Sequence, residues 1–261
     1  MKRWPLSLAV ALGCWPVLAW YGRSMADASN DPWGGLALLT ALLVVARAEP
    51  LQPPRQPLLL PGAIMLLYGL ATLAGLPIAL RAVLAVSALA ALCSAQKLGR
   101  RLDLPLLALL WLALPLSASL QFYGGYPLRL LAGWLAVGLL KANGLAVGLD
   151  GAVFLWDGRQ IAIDAPCSGL RMLWAGGYLT AAAAALFRFA PRQAALAAVL
   201  SGLVVLAANA VRAAALFYLE SGLLPLPAWT HEAAGMSVFI AAGLVIVGGV
   251  FRIDRARAVT A

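Results

Sequence analysis

Apolar stretches of about 17 to 25 residues, the length a helix needs to cross the hydrocarbon of a bilayer, recur along this chain from end to end. Lipid offers backbone N–H and C=O groups no partner, so runs of this kind must pair their backbone internally, as helices, and pack as a bundle. The expected fold is therefore all-α, a polytopic transmembrane helix bundle. About eight spans are expected, at residues 4–21, 33–47, 58–76, 78–95, 104–122, 169–188, 194–219 and 233–251. Of the 261 residues 63% are hydrophobic and 11% charged, which leaves no stretch to clothe a soluble module. The whole of 1–261 reads as one integral-membrane domain, with N-terminal spans over 1–103 and a basic tail at 252–261.

The first span opens with Lys2 and Arg3, as a cleavable signal peptide would, but it reads as a retained helix. "ALGC" at 11–14 has the outline of a lipoprotein cleavage site, yet the apolar run continues past Cys14, which is the wrong geometry for one. Orientation follows the basic residues. The clusters Lys2/Arg3, Arg47/Arg55, Lys97/Arg100/Arg101, Arg188/Arg192 and Arg252/Arg255/Arg257 fall at every second connection, as a cytoplasmic side requires. They hold 12 of the 19 basic residues and only three of the ten acids, Glu49, Asp103 and Asp254, which accounts for the whole net charge of +9. The basicity is thus topological, and a nucleic-acid partner is not needed to explain it. Both termini are expected in the cytoplasm, so the number of crossings is even. Residues 127–142 then form a short helix in the outer interface, anchored by Arg129, Trp134 and Lys141.

Between 145 and 165 the pattern changes. "AVFLWDGRQIAID" holds two β-prone runs around Asp157-Gly158, the signature of a small β-hairpin, expected on the outer face because such backbone cannot meet lipid. The hairpin delivers the chain into Asp164-Ala165-Pro166-Cys167. Proline is tolerated in a first helical turn and Asp164 suits a helix N-terminus, so Cys167 is expected in the first turn of the next span. A helix N-terminus favours the thiolate, Gly169 leaves room for close approach, and free first-turn N–H groups suit an oxyanion. The other reading of Cys167 is an inert thiol packed as a small apolar group. Cys14 lies mid-span and Cys93 near a cytoplasmic end, so neither is expected to pair with it.

His231 is the single histidine. With Thr230 as N-cap it opens the last span on the same side as Cys167, where a helix N-terminus keeps the ring available as a base. Arg212 is flanked by apolar residues and lies eight residues before Glu220, roughly 12 Å below the helix end. A charge within a span marks a site or a pair. Arg212 either serves the thiol, pairs with Asp164, Glu220 or Glu232, or snorkels to the surface. Arg81 reads as an interfacial snorkelling residue, and Arg171 fits either role. A thiol, a base and a fixed cation on one leaflet are what acyl transfer from a peptide bond requires.

"CSGLR" at 167–171, "NAVR" at 209–212 and "HEAAG" at 231–235, in this order on successive spans, resemble the Cys, Asn-x-x-Arg and His-x-x-x-Gly signatures of the exosortase/archaeosortase family. The Asp-Gly hairpin and the segment "LPLSASLQFYGGYPLRLL" before it are similar to that family too, so the resemblance covers about residues 104–251. It implies an integral-membrane cysteine protease-transpeptidase, active at the outer face of the cytoplasmic (inner) membrane. Its partners would be exported proteins whose C-terminal sorting signals consist of a short motif (Pro-Glu-Pro in the bacterial branch), an apolar helix and a basic cluster. By motif, Cys167 would be the nucleophile, His231 the general acid/base and Arg212 the group that orients the carbonyl or holds the oxyanion. Ser168, Gly169, Arg171, Asn209, Asp164 and Glu232 would support the site or bind substrate. No cofactor is implied, and one histidine with few outer carboxylates argues against a metal. A transporter using Arg212 to line its path, or an export scaffold, are the competing readings. A disulfide catalyst would need paired outer cysteines, and no Gly-x-Ser-x-Gly supports serine chemistry.

Overall fold

The structure is a computed structural model that describes residues 4–27, 32–49, 57–224, 226–227 and 229–260. Lys2, Arg3 and Arg55, three of the charges that orient the chain by sequence, lie outside the described residues. Two compact units result, one of Met1–Ala118 with Ala181–Ala194 and the other of Ser119–Thr180 with Ala195–Ala261.

In the first unit the expected span 4–21 is two helices, α1 (Trp4–Gly13) and α2 (Trp15–Ala26), broken at Cys14. Pro16, in the first turn of α2, is the cause: in an unbroken helix it would lack the N–H due to Leu12 and crowd that carbonyl. Three helices follow, α3 (Gly34–Arg47), α4 (Leu59–Leu73) and α5 (Ile78–Cys93), the last continuing through a π-turn at Ser94–Leu98, and then α6 (Leu104–Leu112). The small residues Ala82, Ala85 and Ala88, three apart, are buried on α5 and let its neighbours α1, α2, α4 and α6 approach closely. Gly34 opens α3 against α6: a Cβ there would stand 2.6 Å from the Ala113 carbonyl oxygen. Asp103 caps α6 by accepting from the Leu106 N–H at 3.0 Å, and Arg100 Nη1 donates both to Asp103 Oδ2 at 2.7 Å and to the Phe189 carbonyl at 2.9 Å. Phe189 lies in the turn between α8 (Leu170–Leu186) and α9 (Pro191–Glu220). The expected span 104–122 does not form as one helix, because Pro115 disfavours helical backbone at Leu114 and the chain breaks before α7 (Ser117–Ala142).

The second unit holds the greater part of α7, the strands, and α10 (Trp229–Thr260) with most of α9. The interfacial helix expected at 127–142 is instead the second part of α7, a 26-residue helix that runs through Pro127. Only the Tyr123 carbonyl loses a backbone partner by that proline. The hairpin is a three-stranded antiparallel sheet in the order β1 (Gly148–Asp150), β2 (Val153–Trp156), β3 (Arg159–Ala162). Asp157 and Gly158 both take positive φ, 49° and 71°, as the two-residue turn between β2 and β3 demands. The additional strand follows from a second Asp-Gly pair, Asp150-Gly151, where Gly151 has φ 54° and Asp150 pairs with Val153. Phe154 and Ile161 are buried under the sheet, and Phe154 and Trp156 meet the Phe217 ring of α9 edge-on at 5.6 and 5.8 Å. Gly133 of α7 leaves space for Ile163 and Leu149, whose methyls would meet a Cβ at 2.8 and 3.1 Å.

Among the described residues three helices are long and apolar enough to cross a membrane: Ile78–Leu98, Pro191–Glu220 and Trp229–Ala256. The broken pair α6 and α7 makes a fourth if it is one span, while α3 and α4 are apolar but shorter. The chain is thus a mostly helical membrane protein with three or four candidate spans and a small sheet; helix length does not reach the expected count of about eight.

Candidate active site

The strand β3 is followed by Ile163, whose carbonyl accepts from Arg129 Nη1 of α7 at 3.4 Å. After Asp164 the chain makes one 3₁₀ turn, Ala165–Ser168, closed by the Cys167 N–H donating to the Asp164 carbonyl at 2.9 Å. Gly169 then takes φ 76° and α8 begins at Leu170. This corrects the expectation that Cys167 lies in the first turn of the span. A left-handed residue cannot continue an α-helix, so the thiol sits on a separate turn ahead of it. The N–H expected to be free at that helix start is engaged as well, since Leu170 N–H donates to Ser168 Oγ at 3.4 Å.

What holds the turn is α9. Asn209, buried to 4% exposure, donates from Nδ2 to the Cys167 carbonyl at 2.9 Å. The amide also fills the space over Gly169, where a Cβ would lie 2.8 Å from Asn209 Cγ and Nδ2. From the other side Ser168 Oγ donates to Gln121 Oε1 of α7 at 3.0 Å, and Gln121 itself folds over Gly125, whose Cβ would meet Nε2 at 2.7 Å. Arg212, one turn beyond Asn209, passes across Gly235 of α10, where a Cβ would stand 3.2 Å from Nε and 3.4 Å from Nη2. The side chain of Asn209 thus leaves no room for a Cβ at 169, and that of Arg212 leaves a tight fit at 235.

A small pocket opens at the thiol, lined on one side by Phe154, Ile161 and Ile163 and on another by Ala213, Leu216 and Phe217, with Asp164, Cys167 and Glu220 as its polar members. Cys167 is 6% exposed. Burial pushes its thiol above the ordinary value, the Arg212 guanidinium pulls it down, and the carboxylates of Asp164 and Glu220 add to the rise. The thiolate is therefore not provided by a helix N-terminus; Arg212 is the charge that favours it, and a base is needed.

His231 lies in the first turn of α10, which begins at Trp229, so Thr230 is not the N-cap; its hydroxyl donates back to the Pro227 carbonyl at 2.6 Å. The ring's Nδ1 is 3.6 Å from Glu220 Oε1, with side-chain exposures of 44% and 35%. Among the described residues His231 faces Glu220 rather than touching Cys167. Asp164 and Glu232 are exposed, as is Arg171 in the first turn of α8. No group of three or more His, Cys, Asp or Glu side chains among the described residues is placed to hold a metal ion.

The geometry thus brings the Cys-Ser-Gly and Asn-x-x-Arg motifs together at the turn of Cys167, while of the His-x-x-x-Gly motif Gly235 packs against Arg212 and His231 faces Glu220. The Transmembrane exosortase (Exosortase_EpsH) family model matches residues 4–248. The chain belongs to that family. No curated protein and no solved structure matches it. The matched residues begin at residue 4, so the exosortase pattern includes the N-terminal helices, where the sequence reading finds hydrophobic spans and no motif.

In this exosortase the sequence reading overlooks two contributors. Glu220 appears in it only as a possible partner of Arg212, although it stands 3.6 Å from the histidine, eleven residues on at the start of the next span. Gln121 lies in a segment noted as a whole; the signal for it is a lone amide in an apolar run, followed by Gly124-Gly125.

Proposed function

We propose that this exosortase is a membrane-embedded cysteine peptidase/transpeptidase that cleaves C-terminal sorting signals of exported proteins at the outer face of the cytoplasmic membrane, with both of its termini in the cytoplasm. The observation that carries the reading is the Cys167 thiol at a pocket, on a turn that Asn209 of the Asn-x-x-Arg motif holds by its hydrogen bond, with Arg212 one helical turn beyond it. A peptide carbonyl brought to the pocket meets the Cys167 sulfur. In this reading His231 closes on the sulfur when substrate is seated and takes the thiol proton, the sulfur attacks the carbonyl carbon, and the oxyanion that forms is met by Arg212. Collapse breaks the peptide bond, the amine leaves with the proton held by His231, and a thioester remains on Cys167. Water or an amine acceptor attacks that thioester and frees the thiol. The signal's apolar helix spans beside the protein and its basic cluster stays cytoplasmic, so the scissile bond is held at the level of Cys167.

The test is co-expression with a candidate protein ending in short motif, apolar helix and Arg cluster, tagged upstream of its tail. The tagged product should shrink with the wild-type protein and keep full length with Cys167→Ala. Trimming by both proteins, or by neither on a verified partner substrate, would refute the peptidase reading and leave a transporter or scaffold.

A further inference from the structure

Glu220 occupies a position that a helix does not favour for an acid. It is the last residue of α9, where the backbone carbonyls already carry partial negative charge. Its place is nevertheless held firmly. Arg159 Nη1 of β3 donates to the Ser221 carbonyl at 3.0 Å, the Ser221 N–H donates to the Phe217 carbonyl at 2.9 Å, and the Phe217 ring is packed beneath the sheet. From this fixed end the carboxylate lines the pocket with Cys167 and Asp164, and its Oε1 stands 3.6 Å from His231 Nδ1. That separation is slightly beyond a direct hydrogen bond and within one small side-chain rotation of it, as catalytic contacts often are before substrate arrives.

We infer that Glu220 is the positioning residue of His231: it accepts the proton-bearing Nδ1 and leaves Nε2 as the basic nitrogen that serves the thiol. The inference rests on the peptidase reading of the site. Glu232 cannot fill the role, because adjacent residues on a helix point away from one another. Asp164 also lines the pocket, but the ion pair to His231 is made by Glu220. The chemistry is that of a base held in one tautomer by an acceptor on its far nitrogen, which sets the direction of proton transfer without the carboxylate taking the proton.

A single histidine makes the test direct. The full-length protein labelled with ¹⁵N-histidine in detergent yields one imidazole, whose nitrogen shifts at alkaline pH report which nitrogen carries the proton. Wild type should show the Nδ1–H form, Glu220→Ala should move to the Nε2–H form, and Glu220→Gln, whose amide oxygen still accepts, should retain Nδ1–H. In the tail-trimming assay Glu220→Ala should lower turnover about tenfold or more with little change in apparent KM, and Glu220→Gln should recover part of it. An unchanged tautomer in Glu220→Ala, or unchanged turnover, overturns the inference. Failure of the peptidase reading looks different: Cys167→Ala would go on trimming while the tautomer still followed position 220.

Discussion

Asn209 Nδ2 donates to the Cys167 carbonyl over 2.9 Å, from the same amide that closes over the backbone of Gly169. The contact is buried, so removing the donor strands a carbonyl that water cannot reach. Asn209→Ala should cost about 1–3 kcal/mol of stability. Asn209→Asp should cost at least as much, because it puts a carboxylate oxygen against the carbonyl oxygen. Unfolding of the solubilised protein by added SDS measures both. A wild-type midpoint for the aspartate variant would mean that the amide does not hold the turn.

Gly169→Ala meets two obstacles at once. A φ of 76° is strained for any residue with a Cβ, by about 1–3 kcal/mol, and the new methyl would press on Asn209 at 2.8 Å. The turn should loosen, so Cys167 should be alkylated faster than in wild type while the protein unfolds more easily. Cys167→Ala provides the background from Cys14 and Cys93.

Gly235→Ala should behave in the opposite manner, harming turnover more than stability. The added methyl would sit 3.2 Å from Arg212 Nε, and the guanidinium can yield by a few tenths of an ångström without unfolding anything. On the proposed role of Arg212 at the oxyanion, displacing its charge should slow trimming by about tenfold. The SDS midpoint should shift by less than about 1 kcal/mol.

The chemistry of Cys167 should depend on pH in one direction. Burial holds the folded-state thiol above its ordinary value, so it is protonated at neutral pH and its alkylation rate should rise with pH up to and beyond the range of an ordinary cysteine. Arg212→Gln removes the charge that opposes this rise and should move the alkylation profile to still higher pH. Replacing Asp164 or Glu220 by the amide should move it lower. A profile that Arg212→Gln leaves in place would show that the guanidinium does not act on the thiol.

Asp103 caps α6 and accepts from Arg100, and both contacts lie among the helices that carry no signature motif. Asp103→Ala should therefore lower stability by about 1–2 kcal/mol, the cost of a lost N-cap and an Arg100 left with only the Phe189 and Arg188 carbonyls. The trimming rate of the folded fraction should be unchanged. A fall in that rate with stability intact would assign Asp103 a role that its contacts do not suggest.

The helical character, the Asp157-Gly158 turn and the grouping of Cys167 with Asn209 and Arg212 were legible because each rests on a local rule: apolar length, turn chemistry, or the spacing of motifs. Pro16 and Pro115 were equally visible, but a hydropathy window averages over a proline and reports one span where the backbone makes two helices. The strand β1 went unread because Asp150-Gly151 precedes a run already taken as the first strand. The isolated turn at Cys167 depends on the sign of φ at Gly169, and a glycine in sequence permits either sign. Glu220 was hidden for a different reason, since a meeting of the last residue of one helix with the first turn of the next depends on how the connection folds.

Asn209, Arg212 and Glu220 all project from α9, at offsets of three and eight residues, or roughly 4.5 and 12 Å of axial rise. Cys167 is thus tethered to α9 through Asn209, 42 residues further along the chain, and is separated by the left-handed Gly169 from α8, which it precedes directly. A tilt or sliding of α8 can be absorbed at the left-handed joint of Gly169, whereas any axial movement of α9 carries backbone anchor, cation and acid as a set. For evolution, a single-residue insertion in α9 between 209 and 220 would swing Glu220 about 100° out of phase with its partners, whereas the sheet turns at 150–151 and 157–158 are free to vary in length.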